Sequence, residues 1–345
     1  MILDSPFKEA VKLSICIPTY NRARHLENCL NSIVTASFSC NCAIQVCVSD
    51  NHSIDYTENV VNQAKSLIDI KYHKNESNLG IPKNFLQVVS MAKGEFVWLI
   101  GDDDLLLPDS LTRLHSLLDK FSDVDFFYVN SYHLNAEYLE QYAHPFDVNN
   151  LPDDMRPFSP RKTPGKIPFL ELIDPNISFD FLGGMFLSVF RKKNWDKFVG
   201  VLDQEAINDT RVFSHFDNTF PHVKIWAHAF SSSIAYFNST PLNVCLTGVR
   251  EWSPMYPLIS SVRLVEALDV YRHNGLPFLR YVWCKNFALR NFTADIANII
   301  LYKNKYEFRE NLLRHYLKCI FYPNTYFSFF YFIGRRICKI YEQRH

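Results

Sequence analysis

Short apolar runs and helix-period segments alternate along the first 135 residues. LSICIP (13–18) is a continuous apolar run closed by Pro18, the pattern of a strand buried on both faces. NRARHLENCLNSIV (21–34) follows with Leu26, Cys29, Leu30, Ile33 and Val34 at helical spacing, and Asn21 is the expected N-cap. AIQVCVSDN predicts a second buried strand that stops at Asp50, TENVVNQAKSLI a second helix, and IKYH a third strand. PKNFLQVVSMAKG reads as a helix with Pro82 near its start and Gly94 past its end, and EFVWLI as the fourth strand. PDSLTRLHSLLDKF then reads as a helix and DFFYVNSYHL as a strand. Strand–helix alternation of this kind predicts a doubly wound α/β sheet with right-handed crossovers.

The pattern then changes. Residues 135–178, with PFDVNNLPDDMRPFSPRKTPGKIP, are rich in Pro, Asp and Asn and read as a long loop or lid. Apolar segments resume from residue 178, and beyond about 258 the spacing is largely helical. The expected organisation is a sheet-based unit over 1–255, with 135–178 as a lid or insertion, and a helical C-terminal region over 256–345.

Thr19–Tyr20–Asn21, Asp50–Asn51 and Asp102–Asp103–Asp104 all fall where a predicted strand ends. Ligands of open α/β sheets bind beyond the carboxyl ends of the strands, so three polar clusters converge on the binding edge. The sharpest puzzle is WLIGDDDLLLP, in which three like charges follow an apolar strand. Either this is a solvated acidic turn, or a cation offsets the repulsion.

Composition narrows the classes. The 345 residues are 48% hydrophobic and 21% charged, as in a globular protein, and the formal net charge is zero, which gives no reason to expect a nucleic-acid partner. Residues 277–345 nevertheless hold twelve Lys/Arg against four Asp/Glu, so this tail carries +8 and the remainder −8. FYPNTYFSFFYFIGRRICKIYEQRH mixes aromatic residues with Arg335, Arg336 and Lys339, which suits either a membrane surface with anionic lipid or a core-packing terminal helix. Nine scattered cysteines read as reduced, partly buried thiols. MILDSPFKEAVKLS has no signal-peptide pattern and no apolar run approaches the roughly 20 residues that cross a bilayer, so the expected compartment is the cytoplasm.

With IPTYNR, VSDN, NLGIPKNF and GDDD in this order on successive strands, the chain resembles the family 2 glycosyltransferases of GT-A fold, over roughly residues 12–250. The GG pair, FPHV and VCLTG make it look most like the bacterial O-antigen sugar transferases of the abequosyltransferase type. The resemblance implies an enzyme with a nucleotide-sugar donor, a pyrimidine nucleotide favoured, and a glycan acceptor, including a lipid-linked surface-polysaccharide intermediate at the inner membrane. It also implies Mg²⁺ or Mn²⁺ as cofactor, a hard cation that bridges carboxylate and diphosphate and neutralises the leaving group.

On this resemblance Asp103 and Asp104 are the metal ligands and Asp102 lies near the donor ribose or sugar. Gly101 departs from the family pattern, in which an aspartate stands first. Asp50 is expected at the pyrimidine base with Asn51 beside it, Pro18, Thr19, Tyr20 and Asn21 enclosing it, and Lys83 and Asn84 against the nucleotide. The proton acceptor is expected at His222, which stands where the family has an acidic residue, with Asp217 and Asp180 as carboxylate alternatives. Gly183 and Gly184 either admit the acceptor or form a turn, and Arg250 either clamps the diphosphate or is a surface arginine. The competing classes are a sugar-1-phosphate nucleotidyltransferase, which would want a glycine-rich loop that PTYNRARH lacks, and a non-catalytic glycan-binding protein.

Overall fold

The computed structural model describes residues 11–40, 42–248, 252–301 and 310–342, with side chains through residue 334. Ten strands form one sheet: β1 (Leu13–Thr19), β2 (Ile44–Asp50), β3 (Ile70–Lys74), β4 (Phe96–Leu99), β5 (Asp104–Leu106), β6 (Phe126–Asn135), β7 (Arg156–Pro157), β8 (Gly165–Pro168), β9 (Ser188–Arg191) and β10 (Ile234–Thr247). The order is β3-β2-β1-β4-β9-β6-β10-β5, with β7 on β6 and β8 on β10. Strands β1 to β4 run parallel, β9 is antiparallel to both β4 and β6, and β10 runs parallel to β6.

Helices α1 (Ala23–Phe38), α2 (Thr57–Ala64), α3 (Ile81–Met91) and α4 (Ser110–Lys120) connect the first strands. The chain winds outward from β1 to β2 to β3 and then jumps back across β1 to β4. With right-handed crossovers, that reversal places α3 on the opposite face from α1 and α2 and opens a crevice between the carboxyl ends of β1 and β4. Helix α1 accordingly packs with α2 and α4, whereas α3 packs over β1 and β2 and meets the short helix Phe216–Thr219.

The apolar runs read from the sequence are the buried strands. Every residue of β1 and β4 is buried, and Trp98, Phe126, Phe127 and Phe190 from neighbouring strands are closed off from solvent. One aromatic cluster joins the sheet to the helices: Phe126 packs edge-on against Phe181 and Trp226, whose own planes lie 6° apart. Beyond β10 every regular element among the described residues is helical.

Four expectations are corrected. Helix α1 begins at Ala23, and the donor at its start is taken by Asp55, whose Oδ2 accepts from Ala23 N at 2.9 Å; Asn21, held at φ 52°, accepts from Ile54 N instead. The acidic run is not wholly a turn, because Asp104 opens β5 opposite Cys245 of β10. Residues 135–178, expected as a long loop, contribute β7 and β8 to the sheet, and Phe146 and Val148 pack on Leu105, Val244 and Leu246 in a second small core. Cys40 and Cys42 are joined in a disulfide, while Cys16, Cys29, Cys47, Cys245, Cys284 and Cys319 are free and buried as expected.

Gly94 marks a close backbone approach. A Cβ there would stand 2.5 Å from Ser14 N and 2.8 Å from Phe96 O, against β1 and β4, which cannot yield independently of the sheet. Gly94→Ala is expected to destabilise the protein by about 1–3 kcal/mol, the usual cost of overpacking. The check is a lowered urea midpoint at unchanged m-value.

Candidate nucleotide-sugar site at the strand reversal

The polar ends of β1 and β4 meet across the crevice. Thr19 Oγ1, from the last residue of β1, donates to Asp102 Oδ2 at 2.8 Å. Arg22, in the turn that follows β1, places Nε 3.0 Å from Asp102 Oδ1 and Nη2 2.9 Å from Asp103 Oδ2. The third carboxylate turns back on its own chain: Asp104 Oδ2 accepts from Gly101 N at 2.7 Å. All three aspartates are buried. Burial pushes the Asp102 carboxyl up to about 7 and the adjacent Asp103 charge adds to the rise, against the opposing pull of Arg22 and Thr19.

Gly101 accounts for the departure from the family pattern. A Cβ at this position would lie 2.6 Å from Asp103 Oδ1 and 3.2 Å from Asp104 Oδ2, so the two carboxylates converge on the space its absence leaves. Among the described residues no three His, Cys, Asp or Glu side chains form a complete metal-binding group. A Mg²⁺-type ion needs no such cage, since it is ordinarily held by one or two carboxylates and completed by substrate phosphates and water. Asp103 and Asp104 fit that requirement.

The β2 side of the crevice is a hydrogen-bonded frame. Asp50 is fully buried, with Oδ1 accepting from Ser53 N and Oδ2 from Tyr72 Oη, both at 2.7 Å. The Tyr72 phenol is raised far above its ordinary value by burial and by that carboxylate. Asn51 N donates to Thr19 O at 2.9 Å, and its side chain ties to Asn75, Asn78 and Leu79 N. Asn84 is also spent internally: its amide accepts from Ser49 Oγ and donates to the carbonyls of Ser49 and Thr19. Pro18 is buried in β1, Tyr20 projects with 42% of its surface exposed, and Lys83 is half-buried in the first turn of α3.

The second-half candidates separate. Strand β9 pairs Val189 with Trp98 antiparallel, so the preceding segment with Gly183 and Gly184 enters the sheet from the carboxyl end of β4. Gly183 is there because a Cβ would press to 2.9 Å from the Phe220 ring. Asp180 is exposed, its backbone carbonyl accepting from both glycine amides. Asp217 is buried, and its Oδ2 accepts from Asp203 N at 2.7 Å and from Lys224 Nζ at 2.6 Å. His222 does not present itself as an accessible base. It is 2% exposed and enclosed by Phe85, Phe220 and Trp226, and burial pulls its pKa down to about 3. Arg250 lies outside the described residues.

Arg22 is the functional candidate that motif reasoning passed over. Its signal was present: three adjacent carboxylates require a counter-charge, and the arginine nearest in topology directly follows the polar end of β1.

A sheet that reverses its strand order at a crevice rimmed with carboxylates is an open α/β architecture with its ligand site at the switch point, as in the GT-A fold. The comparisons agree. The pattern that defines Glycosyl transferase family 2 matches residues 14–177. Abequosyltransferase RfbV of Salmonella typhimurium is 30% identical over 237 residues, 68% of this chain and 66% of that relative. The GalNAc(5)-diNAcBac-PP-undecaprenol beta-1,3-glucosyltransferase of Campylobacter jejuni is 37% identical over 105 residues, 30% of this chain and 33% of its own length. Among solved structures, S. aureus TarS 1-349 in complex with UDP-GlcNAc shares the fold, with a TM-score of 0.56 at 15% identity over 81% of this chain and 72% of that one. The chain thus spans just under two thirds of the first relative and about a third of the second. Residues 14–177 thus carry a glycosyltransferase family 2 domain.

The enclosed imidazole yields a test. Its folded pKa of about 3 lies below the unfolded value near 6.5, so the unfolded state binds the proton first and stability falls as pH drops from about 6.5 toward 3. His222→Phe is expected to remove that slope, read as a smaller loss of unfolding free energy than wild type between neutral and acid pH. Parallel curves would mean that the imidazole is not withdrawn from water.

Proposed function

We propose that this chain transfers a sugar from a pyrimidine-nucleotide sugar to a hydroxyl of a glycan carried on a lipid diphosphate, in the assembly of a bacterial surface polysaccharide such as O-antigen. The observation that carries the reading is the cluster of Thr19, Arg22, Asp102 and Asp103 at the β1–β4 reversal of a family 2 domain. The names of the relatives support the substrate classes, one an abequosyltransferase and the other acting on an undecaprenol-linked glycan. On this reading the work is done at the cytoplasmic face of the inner membrane, where lipid-linked intermediates meet soluble nucleotide-sugars. No helix among the described residues is long and apolar enough to cross a membrane.

In this reaction the bond from the sugar's anomeric carbon to the diphosphate breaks, a bond from that carbon to the acceptor oxygen forms, and the acceptor proton goes to a base. Negative charge builds on the leaving diphosphate. A Mg²⁺ or Mn²⁺ ion held by Asp103 and Asp104 would offset that charge as a Lewis acid. Arg22, which pairs with Asp102 and Asp103, would take a phosphate oxygen through its planar fork. Asp102, tied to Thr19, faces the ribose or sugar. Asp50, closed off from solvent, acts as a positioning residue: through Ser53 and Tyr72 it orders the turn after β2, where Asn51 and the exposed ring of Tyr20 border the base. Asn84 braces β1 against β2 from α3, and Lys83 offers a cation at that helix's start.

The proton acceptor on this reading is Asp217. A base must be both ionised and held in place, and Asp217 has one oxygen fixed by Lys224 and by Asp203 N. Asp180 is exposed, and His222 is shut in by aromatic rings.

Incubating the purified chain with UDP-, CDP- and GDP-sugars and Mn²⁺ tests the reading. Release of a nucleoside diphosphate from a pyrimidine donor, abolished by EDTA and lowered about 100-fold or more by Asp103→Asn, is expected. Synthesis of nucleotide-sugar from a nucleoside triphosphate would replace the transferase with a nucleotidyltransferase.

A second measurement isolates the base. Asp217→Asn should lower the turnover number of transfer to acceptor by about 10²–10⁴-fold with donor affinity unchanged. A wild-type rate in that variant moves the role to Asp180.

A further inference from the structure

The C-terminal helix Pro323–Glu342 is built inside out. Its inward residues are small and polar: Thr325 and Ser328 are 4% and 3% exposed. Thr325 Oγ1 donates to Cys319 O at 2.7 Å, Ser328 Oγ meets Thr293 Oγ1 at 2.8 Å, and Asn324 bonds twice to Asn286. The outward residues are large and apolar, with Phe327, Phe329, Phe330 and Ile333 all exposed and Phe330 69% so. A helix that packs on a protein core does the reverse, because burying rings and wetting hydroxyls is the favourable arrangement. The hydrogen bonds fix the orientation, so the aromatic face is held outward.

The preceding helix, Leu312–Cys319, repeats the pattern in one detail. His315 and Cys319 face inward, while Leu313 and Leu317 are exposed together with Arg314 and Lys318, and a surface groove of about 440 Å³ runs between these side chains. Exposed apolar residues interleaved with cations thus continue the surface that the terminal helix begins.

We propose that this face lies in the headgroup region of an anionic lipid bilayer, rings inserted at the acyl boundary and cations against lipid phosphate. Charge selects the bilayer over a second copy of the chain. Residues 277–345 carry twelve Lys/Arg and four Asp/Glu, so two copies docked through this region would oppose like charge, whereas anionic lipid complements it. An aromatic face bordered by Lys and Arg is the composition of an in-plane interfacial helix, and the helix does not qualify as a span. The side chains of Arg335, Arg336 and Lys339 lie outside the described residues and enter only through this count of charges along the sequence. The inference deepens the reading of a lipid-linked acceptor and rests on it only for its purpose; the surface stands on the helix alone.

Sedimentation of the full chain with vesicles, without donor, tests this separately from catalysis. Wild type is expected to sediment with mixed phosphatidylcholine–phosphatidylglycerol vesicles and far less with phosphatidylcholine alone. Phe327→Ser/Phe330→Ser and, independently, Arg314→Glu/Lys318→Glu should each weaken binding by about tenfold or more. Donor hydrolysis should be unchanged in both. The charge-reversed variant keeps the test decisive if loss of two rings impairs folding. Wild type left in the supernatant with the mixed vesicles overturns the proposal. So does a dimer, seen by light scattering, that Phe327→Ser/Phe330→Ser converts to monomer, since a second copy would then cover the face.

Discussion

Three carboxylates held out of water in one turn are the constraint around which the crevice is arranged. Like charges about 4 Å apart repel by about 4 kcal/mol even at an effective dielectric of 20, so the turn cannot stand without compensation. The chain supplies it from the neighbouring strand: Arg22 spans Asp102 and Asp103, Thr19 donates to Asp102, and the Gly101 amide donates to Asp104. Burial still pushes the Asp102 carboxyl up to about 7, with the neighbouring Asp103 charge adding to the rise. Each compensating group comes from the end of β1 or from the turn itself. The site therefore exists only because β4 returns to lie beside β1 after the chain has wound out to β3. Topology brings the counter-charge to the acidic turn.

That dependence explains what was legible in the sequence. Strands β1, β2 and β4 are largely apolar runs because both of their faces are covered, and periodicity reports burial directly. Polar residues at their ends mark the binding edge for the same reason. What escaped were pairings between residues distant in sequence. Asp55 serves the start of α1 from the loop after β2, a contact 32 residues away, so a local capping rule chose Asn21. The three-residue β5 is too short to carry a period, and it is a strand because β10 lies beside it. The 135–178 segment looks like loop by composition, yet Phe146 and Val148 find apolar partners on β5 and β10.

Burial also separates residues that a motif treats alike. Asp50, Asp102 and Asp217 are all candidate ligand contacts by position, and all are buried. Their partners differ. Asp50 has both oxygens engaged, by its own loop and by Tyr72 of the neighbouring β3, which suits a brace; Asp217 has one oxygen fixed by a lysine and an amide, which suits a positioned base. Sequence alone cannot make this distinction because hydrogen-bond partners are set by packing. His222 shows the opposite outcome: a residue type suited to proton transfer becomes a core side chain once three aromatic rings close around it.

The aromatic residues, 15% of the chain, are used in two opposite ways. Around Phe126, Phe181 and Trp226 rings meet edge to face or in parallel and exclude water, fixing the helix layer on the sheet beneath the segment with Gly183 and Gly184. On the terminal helix the rings point outward while Thr325 and Ser328 are turned in and hydrogen-bonded. Aromatic content along the sequence cannot tell these uses apart, since both sets of segments are rich in rings. Polar residues decide it: hydroxyls with buried partners fix which side of a helix faces the protein, and the rings take whatever side remains. The same rule orders the crevice, where buried hydrogen bonds fix the carboxylates and leave the exposed ring of Tyr20 at the mouth.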